Sequence, residues 1–201
     1  MVLVIHGGAY VNRHHLDLMD GLCDDLATRG IATWNIAYRR VGDPASQWPA
    51  TFQDVAAAAE HLRLIGAAHH LDLERLAALG HSAGGHLALW LAGQPHLPAV
   101  RGVVALAPVV SWAATYPDRP DTCRALLGGS PREVPERYAA ASPRDNLPVG
   151  VPSGIVGGDQ DGLAPGCRDF VAAAQAAGGP AHLVELSGVE HFQPIVRGSP
   201  A

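Results

Sequence analysis

The sequence is poor in most of the features that would take it out of the ordinary globular class. Its three cysteines, Cys23, Cys123 and Cys167, are odd in number, widely spaced and outside any C-x-x-C pair. That argues against a disulfide framework and suits a reducing cytoplasm. Charged residues make up only 16% of the 201-residue chain, and no basic run accompanies the formal net charge of −5. Nucleic acid and anionic membrane are therefore not expected as partners. No apolar stretch approaches transmembrane length. The opening Met1-Val-Leu-Val-Ile-His6 has neither a basic leader nor a small-residue cleavage site, so no signal peptide is expected and the location read from the chain is cytoplasmic. Repeats, low-complexity tracts and linkers are missing. The adjacent pairs His14-His15 and His69-His70 diverge, and His81 and His86 do not share a helix face. With no Cys or carboxylate at ligand spacing beside them, neither a metal site nor a cofactor is expected. What remains is 48% hydrophobic and rich in Ala and Gly, which fits one domain, residues 1–201, with a substantial core.

Short apolar runs alternate with helix-period segments along the chain. Strands are predicted over Val2–Ile5, Ile31–Ala37, Leu76–Leu79, Val103–Ala107, Val151–Val156 and Ala181–Leu186. Helices are predicted around Leu18–Leu26, Phe52–Ile65, the segment after Ser82, and Phe170–Ala177. This alternation implies an α/β fold, a doubly wound and mostly parallel sheet with helices on both faces. Residues 111–148 lack strand character and hold six of the sixteen prolines. They read as a small cap or insertion with helical patches at Arg124–Leu127 and Glu136–Ala140. Its Trp112 and Tyr116 either line a substrate pocket or simply pack the insertion down.

In such sheets chemistry collects at the C-terminal ends of the strands, and the candidate motifs fall there. Gly80-His81-Ser82-Ala83-Gly84 joins a strand to a helix, the nucleophile-elbow pattern G-x-S-x-G. Gly80 and Gly84 are needed because side chains there would collide with the neighbouring strand and helix. Ser82 would sit at a helix N-terminus, which favours developing negative charge. A serine hydroxyl needs a base, and the base an orienting carboxylate. The order Ser, acid, His reduces eleven histidines to His182 and His191. His182 falls within an alternating strand, whereas His191 follows the last strand and is the expected base. Asp159 and Asp161 both follow the fifth strand, and periodicity does not separate them. Asp161, which opens the loop Gly162-Leu-Ala-Pro165, is preferred, with Asp159 bracing the turn. An oxyanion hole would use the backbone N–H groups of Gly8, Ala9 and Ala83, with Ala9 acceptable as long as its φ stays negative. His6 and His81 flank the site and are expected to hold loops. Arg39 and Arg40 would bind a substrate carboxylate or form structural salt bridges.

With His6-Gly7-Gly8, Gly80-His-Ser82-Ala-Gly-Gly-His-Leu-Ala88, Gly158-Asp-Gln-Asp161 and His191, the chain resembles the α/β-hydrolase superfamily. Within it the likeness is to small esterases related to hormone-sensitive lipase, kynurenine formamidase and the feruloyl and acetyl-xylan esterases. The resemblance implies Asp161 rather than Asp159 as the acid, because Gly-x-x-Asp followed by Pro165 is the family pattern. It also implies Ser82 as nucleophile, His191 as base and the His-Gly-Gly loop as oxyanion hole. The expected activity is hydrolysis of small carboxylic esters, with an aryl formamide substrate or a catalytically silent binding role as alternatives. Ala9 stands where the family has Gly or an aromatic. The strands that open the family fold and the helix that follows its catalytic His are missing, as in a shortened member or a fragment. An exposed sheet edge and an uncovered apolar surface would follow, with a homodimer as the means of covering them.

Overall fold

The computed structural model describes residues 1–199. The strands β1 (Val2–Ile5), β2 (Thr33–Ile36), β3 (Ala77–His81), β4 (Val103–Leu106), β5 (Ser153–Gly158) and β6 (Ala181–Leu186) form one sheet. Its order is β2-β1-β3-β4-β5-β6, and every pairing is parallel. The chain runs from β1 out to one edge, returns, and then proceeds from β3 to the other. The direction reverses between β1 and β3, and a crevice opens beyond the C-terminal ends of strands at such a reversal. The loop after β1 carries Gly7 and Gly8, and the residue after β3 is Ser82.

The helices are α1 (Asp20–Thr28), α2 (Ala50–Ile65), α3 (Ala83–Ala92), α4 (Trp112–Thr115), α5 (Pro120–Leu127), α6 (Pro135–Ala141) and α7 (Ala164–Ala176). Helix α3 is apolar all round and buries Ala83, Leu87, Ala88, Leu89 and Leu91, the pattern of a helix inside the core. It packs across β1, β3 and β4, while α7 covers β5 and β6 and α1 covers β2. Phe52, Val55, Ala59 and Leu62 of α2 form the buried stripe that completes this layer.

Three differences from the sequence-based expectations concern α7, β2 and residues 112–115, and the first and last have a physical reason. Helix α7 starts at Ala164, ahead of the expected Phe170, because Pro165 sits in the first turn, where its missing N–H costs no bond. Strand β2 begins at Thr33 rather than Ile31. Residues 112–115 form a helical turn that the apolar pattern did not announce, capped by Ser111 Oγ accepting from Ala114 N–H. Two apolar side chains of the sheet are open to solvent: Val184 on edge strand β6 is 49% exposed, and Val104 on β4 is 38% exposed. Strand register puts both on the same face of the sheet.

The elbow depends on backbone touching backbone. A Cβ added at Gly84 would run into the carbonyls of Ile5 and His6, and one at Gly80 into the carbonyl of Gly84. Gly84→Ala must therefore push α3 off β1, and overpacking of this kind costs about 3 kcal/mol. Urea unfolding should show a corresponding drop in stability. Gly157→Ala, where a Cβ meets nothing within 4 Å, should leave the midpoint nearly unchanged.

Candidate active site

Ser82 caps α3 with φ 53° and ψ −115°, a backbone conformation in which a side chain is strained. The strain is clamped from both sides. Ser82 N–H donates to Leu106 O at 2.8 Å, and Ser82 O accepts from His86 N–H at 3.0 Å. The hydroxyl is thereby presented at the rim of the sheet.

The loop after β6 brings His191 to it. His191 Nε2 lies 2.9 Å from Ser82 Oγ, and Nδ1 lies 2.8 Å from Asp161 Oδ2. An ionised carboxylate only accepts, so Nδ1 carries the proton and Nε2 is left to accept from the serine hydroxyl. Asp161 Oδ1 accepts Leu163 N–H at 2.9 Å. Burial pushes the Asp161 carboxyl up, but the His191 and Leu163 hydrogen bonds outweigh it and hold the pKa below the usual carboxylate value. Asp159 lies apart: its carboxylate accepts from Ser187 Oγ, Gly188 N–H and Gln160 Nε2, bracing the turn before His191. His182 is exposed on β6.

Gly8 and Ala9 line the cavity next to Ser82. Ala83 begins α3 with its side chain buried, so only its backbone N–H is available. Gly8, Ala9 and Tyr10 have φ of 113°, 54° and 60°. The expectation of a negative φ at Ala9 is therefore wrong: the turn closed by Val11 N–H donating to Gly8 O needs a left-handed run, and Ala9 accepts the strain. The loop is strapped down from behind. Arg40 pairs with Asp43 at 3.1 Å and donates to His14 O, and Val11 bridges to Val41. Arg39 pairs with Asp54 at 2.6 Å. Both arginines are thus structural.

Three buried imidazoles surround the site. His6 stacks on Tyr38, whose hydroxyl donates to His6 O at 2.7 Å. His81 Nε2 donates to His191 O at 2.8 Å, holding the backbone of the residue whose ring faces Ser82. His86 Nε2 lies 2.6 Å from Ala141 O, tying α3 to the insertion. Burial lowers all three to a pKa of about 4.

Together these elements enclose a cavity of about 740 Å³ that includes Ser82, Asp161 and His191. Val11, Val110, Trp112 and Leu163 give it apolar walls. Trp112 lines it, but Tyr116 does not; that ring packs on Tyr138 and Arg124 instead. Arg13 and Arg119 also face the cavity, and neither stood out in the sequence. Exposed single arginines carry no periodic signal.

Two outcomes follow from this geometry. Ala9→Gly should raise stability by about 1 kcal/mol in urea unfolding, because glycine enters the left-handed region without strain; a fall would contradict the strain. The buried histidines have folded pKa values below their unfolded value near 6.5, so on acidification the unfolded chain takes up protons first. Stability is complete above that value and declines from about pH 6.5 towards pH 4, by up to ~1.4 kcal/mol per pH unit for each group. Urea midpoints at pH 7.5 and pH 5 should differ accordingly, and equal midpoints would contradict neutral burial.

The chain is similar to several known proteins. The BD-FAE family matches residues 1–173. Esterase LipI of Mycobacterium tuberculosis is 39% identical over 97 residues, 46% of this chain. The chain spans only 28% of that relative's length. Among solved structures, a truncated carbohydrate esterase from gut microbiota superposes with a TM-score of 0.79 at 22% identity, over 95% of this chain and 78% of that one. Propionate-bound esterase Est2 of Thermogutta terrifontis gives 0.76 at 23%, over 94% and 72%. BioJ of Francisella gives 0.80 at 20%, over 100% and 71%. These structures share the α/β-hydrolase fold with this chain. The match over most of its length shows that the chain belongs to the BD-FAE family.

Proposed function

We propose that the protein hydrolyses small carboxylic esters through an acyl-enzyme on Ser82. The observation that carries this reading is the continuous hydrogen-bonded row Ser82–His191–Asp161 opening into an apolar-walled cavity. Esterase LipI, the carbohydrate esterase and the Thermogutta esterase lend it support by likeness.

His191 Nε2 takes the hydroxyl proton as Ser82 Oγ attacks the ester carbonyl. Asp161 stabilises the imidazolium and keeps Nδ1 protonated. Negative charge gathers on the former carbonyl oxygen, where the N–H groups of Ala83, Gly8 and Ala9 receive it, aided by the N-terminal end of α3. His191 then returns the proton to the departing alkoxide. Water attacks the acyl-enzyme by the same route, again losing its proton to His191, and releases the acid. Residues 111–148 act as the cap of a single domain. They supply Trp112, Thr115 and Thr122 to the cavity and so set the acyl or alcohol preference.

Ser82→Ala should lower kcat for a short p-nitrophenyl ester by at least about four orders of magnitude. Circular dichroism should show an unchanged fold. Retained turnover in the variant would overturn the assignment.

A further inference from the structure

We propose that Arg13 and Arg119 form an anion subsite at the mouth of this cavity, selecting esters that carry a second, ionised carboxyl group. The inference rests on the ester-hydrolase reading and adds the class of substrate to it.

The two guanidinium groups belong to different walls. Arg13 lies in the loop after β1 that carries Gly8 and Ala9, and Arg119 lies in the insertion at the start of α5. Both are exposed and both line the cavity that contains Ser82. Among the described residues, nine other arginines are held in ion pairs. Arg13, Arg119, Arg132, Arg144 and Arg197 are in none, and only Arg13 and Arg119 of these five border the cavity. Their charge is therefore uncommitted at the one place where a bound ester would meet it.

The start of α5 adds only the N–H groups of Asp121 and Thr122 to the same potential, because Pro120 has none, and the Asp121 carboxylate of that turn opposes it. Arg119 is its N-cap, no side chain caps the helix, and Thr122 of its first turn lines the cavity. The first N–H groups of a helix have no acceptor within it and favour an anion. One opposing charge, Asp118, also borders the cavity without an ion pair, leaving two guanidinium groups against one carboxylate at the mouth. Asp161, deeper in, is occupied by His191 and Leu163 N–H. The apolar Val11, Val110, Trp112 and Leu163 would carry the chain between ester and carboxylate. A guanidinium takes a carboxylate through two parallel hydrogen bonds. In open water such a pair contributes little, so selection depends on the substrate's own chain filling the cavity and excluding water.

The test compares kcat/KM for charged and neutral esters of matched length at low ionic strength. One arm puts the carboxylate on the acyl side, monomethyl adipate against methyl hexanoate. The other puts it on the leaving group, 4-butyryloxybenzoate against phenyl butyrate. The expected result is a preference of about ten-fold or more for the charged ester in at least one arm, weakened by 0.5 M salt. The ratio should collapse to near one in Arg13→Gln/Arg119→Gln and invert in Arg13→Glu/Arg119→Glu. Ratios near one in both arms for the unaltered protein, or a ratio that survives the double Gln substitution, would overturn the subsite. Calorimetric binding of monomethyl adipate and methyl hexanoate to the Ser82→Ala protein separates this from failure of the hydrolase reading. If no ester is turned over but the charged one binds tighter, and the double Gln substitution abolishes the difference, the subsite stands and the hydrolase reading falls. Equal binding of the two overturns the subsite.

Discussion

The constraint that places the serine is the contact between the backbone of α3 and the carbonyl end of β1. Gly84 leaves no room for a single carbon beyond its own main chain. That contact lets the helix begin immediately after β3 and forces Ser82 into φ 53°. Strained residues of this sort cost about 1–3 kcal/mol. The cost is offset because α3 is buried on every side between the sheet and α2. The hydroxyl is thus held out at the rim by packing that has no direct contact with substrate.

Neutral imidazoles carry out the second layer of positioning. His81 stands beside Ser82 in sequence yet reaches 110 residues along the chain to grip the carbonyl of His191. His86 links the helix behind the serine to the insertion that roofs the cavity. His6 and Tyr38 stack under the loop that bears Gly8. Because burial keeps these rings uncharged near neutral pH, they hold geometry as neutral hydrogen-bonding groups. Arg40 performs a similar task from outside, buried against the carbonyl of His14.

Much of this was legible in the amino-acid order because sterics dictate it. A strand, Gly-x-Ser-x-Gly and a helix leave few conformations open, and apolar runs alternating with helical ones prescribe the parallel sheet. The choice between Asp161 and Asp159 was not legible from spacing, since both follow β5. It depends on which carboxylate the Gly188 turn captures, a contact made only after β6 is in place. The positive φ of Ala9 was hidden because alanine usually avoids that region, and only the folded loop imposes it. Trp112 and Tyr116 looked equivalent, but α4 turns one into the cavity and the other onto Tyr138. Arg13 and Arg119 were invisible for a related reason: they border one cavity only because the insertion and the loop after β1 both line it.

The central claim is that packing makes one particular hydroxyl nucleophilic through His191. The most direct measurement is the intact mass and peptide map of the protein after brief exposure to a fluorophosphonate. The account predicts a single adduct on the peptide carrying Ser82, formed rapidly at pH 8 and suppressed when His191 is replaced by Gln. No adduct, or one on another serine that forms as fast in the His191→Gln protein, would contradict it.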